Sequence, residues 1–182
     1  MKATGIVRRI DDLGRVVIPK EIRRTMRIRE GDPLEIYTDR EGEVIFKKYS
    51  PIGELSSFAG EYAETLHKVC GISVLIFDRD AVIASAGVPK REYLDRKMSE
   101  ELEEIAERRQ LYVRKRGERI PVILDGGAYY LSCAMPIITE GDMIGCVCSV
   151  VSEESDDPAG MSDAEAKLIQ TAATFLSKQM ES

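Results

Sequence analysis

The sequence predicts an α+β chain in two parts, a short, strand-rich basic unit followed by a larger domain whose helices flank a central sheet. Three observations lead there. Charge is unevenly spread: residues 1–29 carry nine Lys/Arg against three Asp/Glu, whereas residues 50–182 carry fourteen against twenty-three, within a formal net charge of -6. Brief β-branched runs punctuated by turn residues fill the first fifty positions. Beyond them, apolar stripes of helical period open and close a stretch that holds two pairs of strand-like runs. At 182 residues with 43% hydrophobic content, two small globular domains are accommodated.

In the first part, "GIVRRI" reads as a strand and "DDLG" as a turn, with Gly14 free to take positive φ. "RVVI" is a second strand that stops at Pro19, which cannot extend a ladder but suits the start of a helix. "PKEIRRTM" follows as a short helix with Ile22 and Met26 on one face and Arg23 and Arg24 turned away from it. "LEIYT" and "EVIFKKY" flank "DREG", a hairpin with Gly42 in the left-handed position. So short a helix is marginal alone, and fifty residues bury too little surface to fold unaided. With no disulfide or metal signal to staple the unit, an obligate dimer sharing one core is expected.

"YSPIGE" (49–54) reads as a linker, which places the domains at 1–50 and 55–182. A first helix over 55–69 puts Leu55, Phe58, Ala59, Tyr62, Leu66 and Val69 on one stripe. "ISVLIFD" and "AVIAS" pair around "DRD", and Ser99 caps a helix over "EELEEIAERR". "AYYLSCAMPII" and "MIGCVCSVV" form a second strand pair around "TEGD". The last helix, 162–181, opens with a capping box of Ser162 and Glu165 and lays down Ala166, Ile169, Ala172, Ala173, Leu176 and Met180.

Several function classes fall away. There is no apolar leader, and no run approaches the roughly 18 apolar residues that span a bilayer, so a soluble, cytoplasmic chain with no membrane partner is expected. Cys70, Cys133, Cys146 and Cys148 match neither a CxxC nor a zinc-finger spacing and are expected to be buried, reduced core thiols. His67 is the only histidine, which removes multi-histidine metal sites. It is expected on the surface or at a bundle edge. "DGG" at 125–127 reads as a turn, and the cluster Arg114, Lys115, Arg116 and Arg119 as a solvated hairpin, the commoner case, or as an extension of contact with an anionic partner such as DNA. No catalytic constellation is visible, so an enzyme is not expected, and no cofactor or metal is required.

The stretch "TGIVRRIDDLGRVVIPKEIRRTM" resembles the DNA-binding domain of the AbrB-type transition-state regulators of spore-forming bacteria. That family has the pattern T-G-[IV]-V-R-x-[IV]-D-x-L-G-R-[IV]-V-I-P-x-E-[LI]-R, and the likeness runs through residues 1–50. It implies a swapped-hairpin β-barrel dimer that binds double-stranded DNA. The family's DNA-contacting arginines fall on Arg8, Arg15, Arg23 and Arg24, and Arg9 stands where the family accepts lysine. Arg8 and Arg9 leave opposite faces of one strand, so one of the two points straight at the duplex. There is no second helix to enter a major groove, so binding should mix phosphate anchoring, a few arginine–base contacts and DNA shape. The two-domain arrangement resembles sporulation members of the family, which implies activation and repression of late, forespore-specific genes.

"YYLSCAMPIITEGDMIGCVCSVV" is similar to the closing strands of GAF domains, whose P-[IL]-x6-[IL]-G pattern is filled by Pro136, Ile137, Ile144 and Gly145. The resemblance implies either a small-molecule site, its ligand unknown, or a dimerisation role through helices 55–69 and 162–181. The latter would build a homotetramer. The alternative function is an antitoxin, because the swapped-hairpin fold also serves MazE-like proteins that bind a partner toxin and their own operator.

Overall fold

A computed structural model describes residues 6–152 and 163–181, and the chain divides into two compact units, Met1–Tyr49 and Ser50–Ser182. In the first unit α1 spans Lys20–Thr25, and β1 (Leu34–Thr38) pairs antiparallel with β2 (Val44–Lys48). The β1–β2 turn has Gly42 at φ 86°, as its sequence requires. Asp39 Oδ1 accepts from the amides of Glu41 and Glu43 within that turn.

Strands are expected over 5–10 and 15–18, but the described residues 6–10 and 15–18 carry no ladder in the single chain, although the turn between them is closed. Among the described residues of this unit, Pro19 alone is buried. Val7 is 90% exposed and Val17 72%. A strand needs a neighbour for its amides and a cover for its apolar side chains, and one copy of this segment supplies neither.

The second unit is an antiparallel sheet in the order β4-β3-β7-β6-β5, built from β3 (Ser73–Asp78), β4 (Val82–Ala86), β5 (Tyr112–Val113), β6 (Tyr129–Thr139) and β7 (Asp142–Ser152). Glu140 (φ 52°) and Gly141 (φ 87°) make the two-residue β6–β7 turn, whose two left-handed positions match the twist of the flanking strands. Helices α2 (Ser56–Cys70) and α5 (Asp163–Met180) cover one face, packing Ala59, Ala63, Leu66, Ile169, Ala172 and Leu176 on Val74, Ile76, Cys133 and Val147. The short α3 (Lys90–Tyr93), α4 (Glu100–Glu107) and their loops cover the other, where Tyr93, Met98, Leu102 and Ile105 meet Leu75, Phe77, Leu131 and Cys148. Ser99 caps α4, its hydroxyl accepting from the amide of Leu102 at 3.1 Å.

Three expectations change, and one falls outside the described residues. Residues Pro51–Leu55, read as linker and helix start, form a 3-10 helix whose Ile52 is fully buried in the core beneath α2 and α5. Val69 is 78% exposed, and Ala63 takes a buried place on α2 instead. A strict 3.6 period keeps Val69 near the stripe, but Gly71 at φ 70° ends the helix two residues later, and Val69 lies in the exposed last turn. Cys70, at that same helix end, is exposed, whereas Cys133, Cys146 and Cys148 are buried free thiols. The capping serine expected at Ser162 lies outside the described residues.

Candidate nucleic-acid interface

The basic unit is built around two local devices. The first is the turn at 11–15. Asp11 N–H donates to the Arg15 carbonyl at 3.1 Å, and Gly14 N–H returns to the Asp11 carbonyl at 3.0 Å. Gly14 sits at φ 76°, the left-handed residue that ends a three-residue hairpin loop. The Asp11 side chain completes the turn: Oδ1 accepts from the amides of Leu13 (3.0 Å) and Arg15 (2.8 Å), and Oδ2 accepts from Arg15 Nε at 2.8 Å. The Arg15 amide and then its guanidinium hold the Asp11 carboxyl below its ordinary value. The Arg15 side chain stays 69% exposed, since only its Nε edge is engaged by the carboxylate.

The second device is the end of α1. Glu21 lies in the first turn and Arg23 and Arg24 in the last, matching the helix dipole at both ends. Ile28 N–H donates to the Arg23 carbonyl at 2.7 Å and Arg27 N–H to the Arg24 carbonyl at 3.2 Å. With Arg27 at φ 50°, these bonds form a Schellman motif. The carbonyls of both outward-facing arginines are thus pinned. No sequence signal marked Arg27 for this place, because glycine or asparagine is the usual residue there. Lys48 Nζ bonds the Arg27 carbonyl at 2.9 Å, a long-range contact that braces the motif from β2.

All five arginines singled out in the sequence are exposed. Arg8 and Arg9 lie on the arm before the turn, Arg15 on the arm after it, and Arg23 and Arg24 on α1. The structure brings Arg15 against Asp11. Among the described residues, the side chains of Arg8, Arg9, Arg23 and Arg24 make no ion pair or hydrogen bond. Guanidinium groups held on short, turn-defined elements and open to water are suited to phosphate oxygens and to the acceptor edge of guanine.

In the second unit, the core on the face that α3 and α4 cover holds Tyr93, Met98, Leu102 and Ile105, with Tyr129 packed against it. Tyr93 is 1% exposed, stacks edge-on to Tyr129 at 5.7 Å, and accepts from the Tyr129 amide at 3.2 Å. No group of three or more His, Cys, Asp or Glu among the described residues is placed to hold a metal, and no described helix is long and apolar enough to cross a membrane. His67 is half-buried at the α2 edge, its Nδ1 2.9 Å from the Ile72 carbonyl.

The family model described as "Stage V sporulation protein T C-terminal, transcription factor" matches residues 54–181, and the model described as "Antidote-toxin recognition MazE, bacterial antitoxin" matches residues 7–53. The chain is 51% identical to stage V sporulation protein T of Bacillus subtilis, over 100% of this chain and 99% of that protein. It is 52% identical to the transition state regulatory protein AbrB of the same organism over 71 residues, 39% of this chain and 72% of that one. The GAF domain of a phosphoenolpyruvate-protein phosphotransferase from Coxiella burnetii superposes with a TM-score of 0.53 at 14% identity, covering 70% of this chain and 82% of that one, a likeness of fold. The chain belongs to the stage V sporulation protein T family of transcription factors, with an AbrB-like first unit and a GAF-like second one.

Proposed function

We propose that this chain is a regulator of transcription that binds double-stranded DNA through Arg8, Arg15, Arg23 and Arg24, with Arg9 as a flanking phosphate contact, on a homodimer formed by residues 1–50. By its likeness to the sporulation regulator, it activates and represses late sporulation genes in the cytoplasm of the forespore. The observation that carries this reading is the pairing, in residues 6–49, of solvent-facing arginines with a unit that buries Pro19 alone among its described residues. The exposed valines and isoleucines ask for a second copy of the same segment, and a two-fold dimer doubles every cation.

The GAF-like domain is the regulatory half, either a small-molecule sensor or a dimerisation module. Pairing through helices 55–69 and 162–181 would join two DNA-binding dimers into a tetramer that holds two duplex segments. The antitoxin reading draws on the family model over residues 7–53. A toxin-wrapping tail is a free extended segment, however, and residues 56–152 and 163–180 are mostly helices and strands packed on two cores.

Gel shift and ultracentrifugation test the DNA reading together. Arg15→Ala and Arg23→Ala should each abolish duplex binding while leaving the oligomer intact. With roughly six phosphates neutralised, log K for the wild type should fall against log salt with a slope near -5. Wild-type affinity in both variants would reject the arginine assignment.

A further inference from the structure

We propose that the loop Arg114–Arg119 of the GAF-like domain is a second, sequence-independent contact for the phosphates of duplex DNA, an inference that rests on the reading of this chain as a DNA-binding protein. Its domain is acidic overall, yet six of its fourteen cations fall within residues 108–119, with Glu118 the single carboxylate there. The rest of residues 50–182 holds eight cations against twenty-two carboxylates. A cation cluster of this density in an acidic domain marks a place where an anion can approach.

The fold pushes this cluster outward. Tyr112 and Val113 pair with Ala134 and Cys133 on β6, and Arg114 N–H donates to the Ser132 carbonyl at 2.9 Å. Further along the same edge, Leu131 N–H donates to the Ile120 carbonyl at 2.9 Å and Pro121 bridges to Tyr130. Both ends are therefore fastened to neighbouring positions of one strand, and residues 115–119 must bulge from the sheet edge. Gly117 at φ 84° makes the reversal.

Within the loop the carboxylate is spent on shape. Glu118 Oε2 accepts from the Tyr112 hydroxyl at 2.5 Å and from the Lys115 amide at 3.0 Å, and these two bonds hold its carboxyl below the usual range. Lys115, Arg116 and Arg119 are exposed, and the Arg119 guanidinium lies 5.8 Å over the Tyr130 ring. Residues 114–119 contain no apolar side chain. A protein partner would want apolar or aromatic anchors at the centre of the patch, whereas a row of phosphates needs cations alone. Sequence-independent contacts of this kind are weak in isolation, about 10⁻⁴ to 10⁻⁶ M, but a domain tethered to an already bound unit meets DNA at an effective concentration in the millimolar range.

The test compares the full-length wild type with Arg114→Gln/Lys115→Gln/Arg116→Gln on duplexes of several helical turns, across a salt series. The expected result is a salt slope shallower by about 2–3 and binding weaker by roughly five- to tenfold on every sequence alike. If the triple variant melts differently from wild type, Lys115→Gln/Arg116→Gln, confined to the exposed tip, is measured in its place and should lose about two-thirds of that slope. A wild type that binds duplex DNA beside variants of unchanged slope and affinity overturns the loop assignment and leaves the arginine platform standing. A wild type that binds no duplex overturns both. Variants that hold DNA normally but lose an acidic protein partner would assign the loop to that partner and overturn the proposal.

Discussion

Arg15 Nε donates to Asp11 Oδ2 at 2.8 Å across a three-residue turn, so the carboxylate that closes the turn also aims the guanidinium. Asp11→Ala removes the acceptor of two amides and the guide for Arg15. It also removes a negative charge from the surface proposed to meet DNA, which favours phosphate attraction in general. The two effects separate in one experiment: affinity for random duplex should hold or rise, while preference for a specific site should shrink by about tenfold, the discrimination of one well-placed arginine–base contact. Footprinting against a competitor series reads both, and an unchanged preference would contradict the aiming role.

The same pair sets a pH dependence. The Asp11 carboxyl is held below its ordinary 3.8, first by the Arg15 amide and then by its guanidinium. A carboxylate lowered on folding contributes stability that is fully present above the unfolded value and lost as pH falls through the lower folded one. The Leu13 and Arg15 amide resonances should therefore titrate with a midpoint below 3.8. A midpoint at or above that value would show the turn to be open in solution.

Val7 is 90% exposed in one chain, and in the strand that its sequence predicts it would leave the opposite face from Arg8. If the surface of the single chain were the surface in solution, Val7→Asp would change stability by less than about 0.5 kcal/mol. In a core shared by two copies it should cost about 2 kcal/mol or more, through an unpaired buried charge. Denaturant melts decide between these outcomes, and a fragment ending at Ser50 should sediment as a dimer. A folded monomeric fragment would remove the shared core.

Gly145 explains itself only through its neighbour strand. A Cβ there would lie 2.3 Å from the Phe77 carbonyl oxygen, a backbone atom with no room to move. Gly145→Ala should cost about 1–3 kcal/mol as β7 is forced off β3, measured by chemical denaturation. Wild-type stability would mean that the two strands are less closely apposed.

The thiols give a simple check on the second domain. Burial pushes the Cys133 thiol up to about 12 and raises Cys148 well above its ordinary value, with the Cys146 sulfur 3.6 Å from that of Cys148. A thiolate-selective reagent should label Cys70 promptly in the native protein and reach the other three cysteines only on unfolding. Fast labelling of two or more would indicate an open core.

Much of this protein was legible in the order of its residues. The hairpin turns at Gly14 and Gly42, the helix after Pro19, the Ser99 cap and the two long antiparallel strands all follow from local chemistry, because dihedral restriction, capping and period-2 or period-3.6 patterning act over a few residues. The same holds for the cationic character of the first segment and for its arginine spacing. Tertiary structure decided what depends on neighbours distant in sequence. It buried Ile52 in a stretch that reads as linker, left Val69 and Cys70 beyond the cover of the sheet, and gave Gly145 its necessity through the Phe77 carbonyl. It pinned the Arg114–Arg119 loop outward from β6, and it left the valines of the first unit exposed in a single chain. Burial and strand pairing are properties of surfaces brought together by the whole chain, and the described residues of the first unit bring no such surface to residues 6–18.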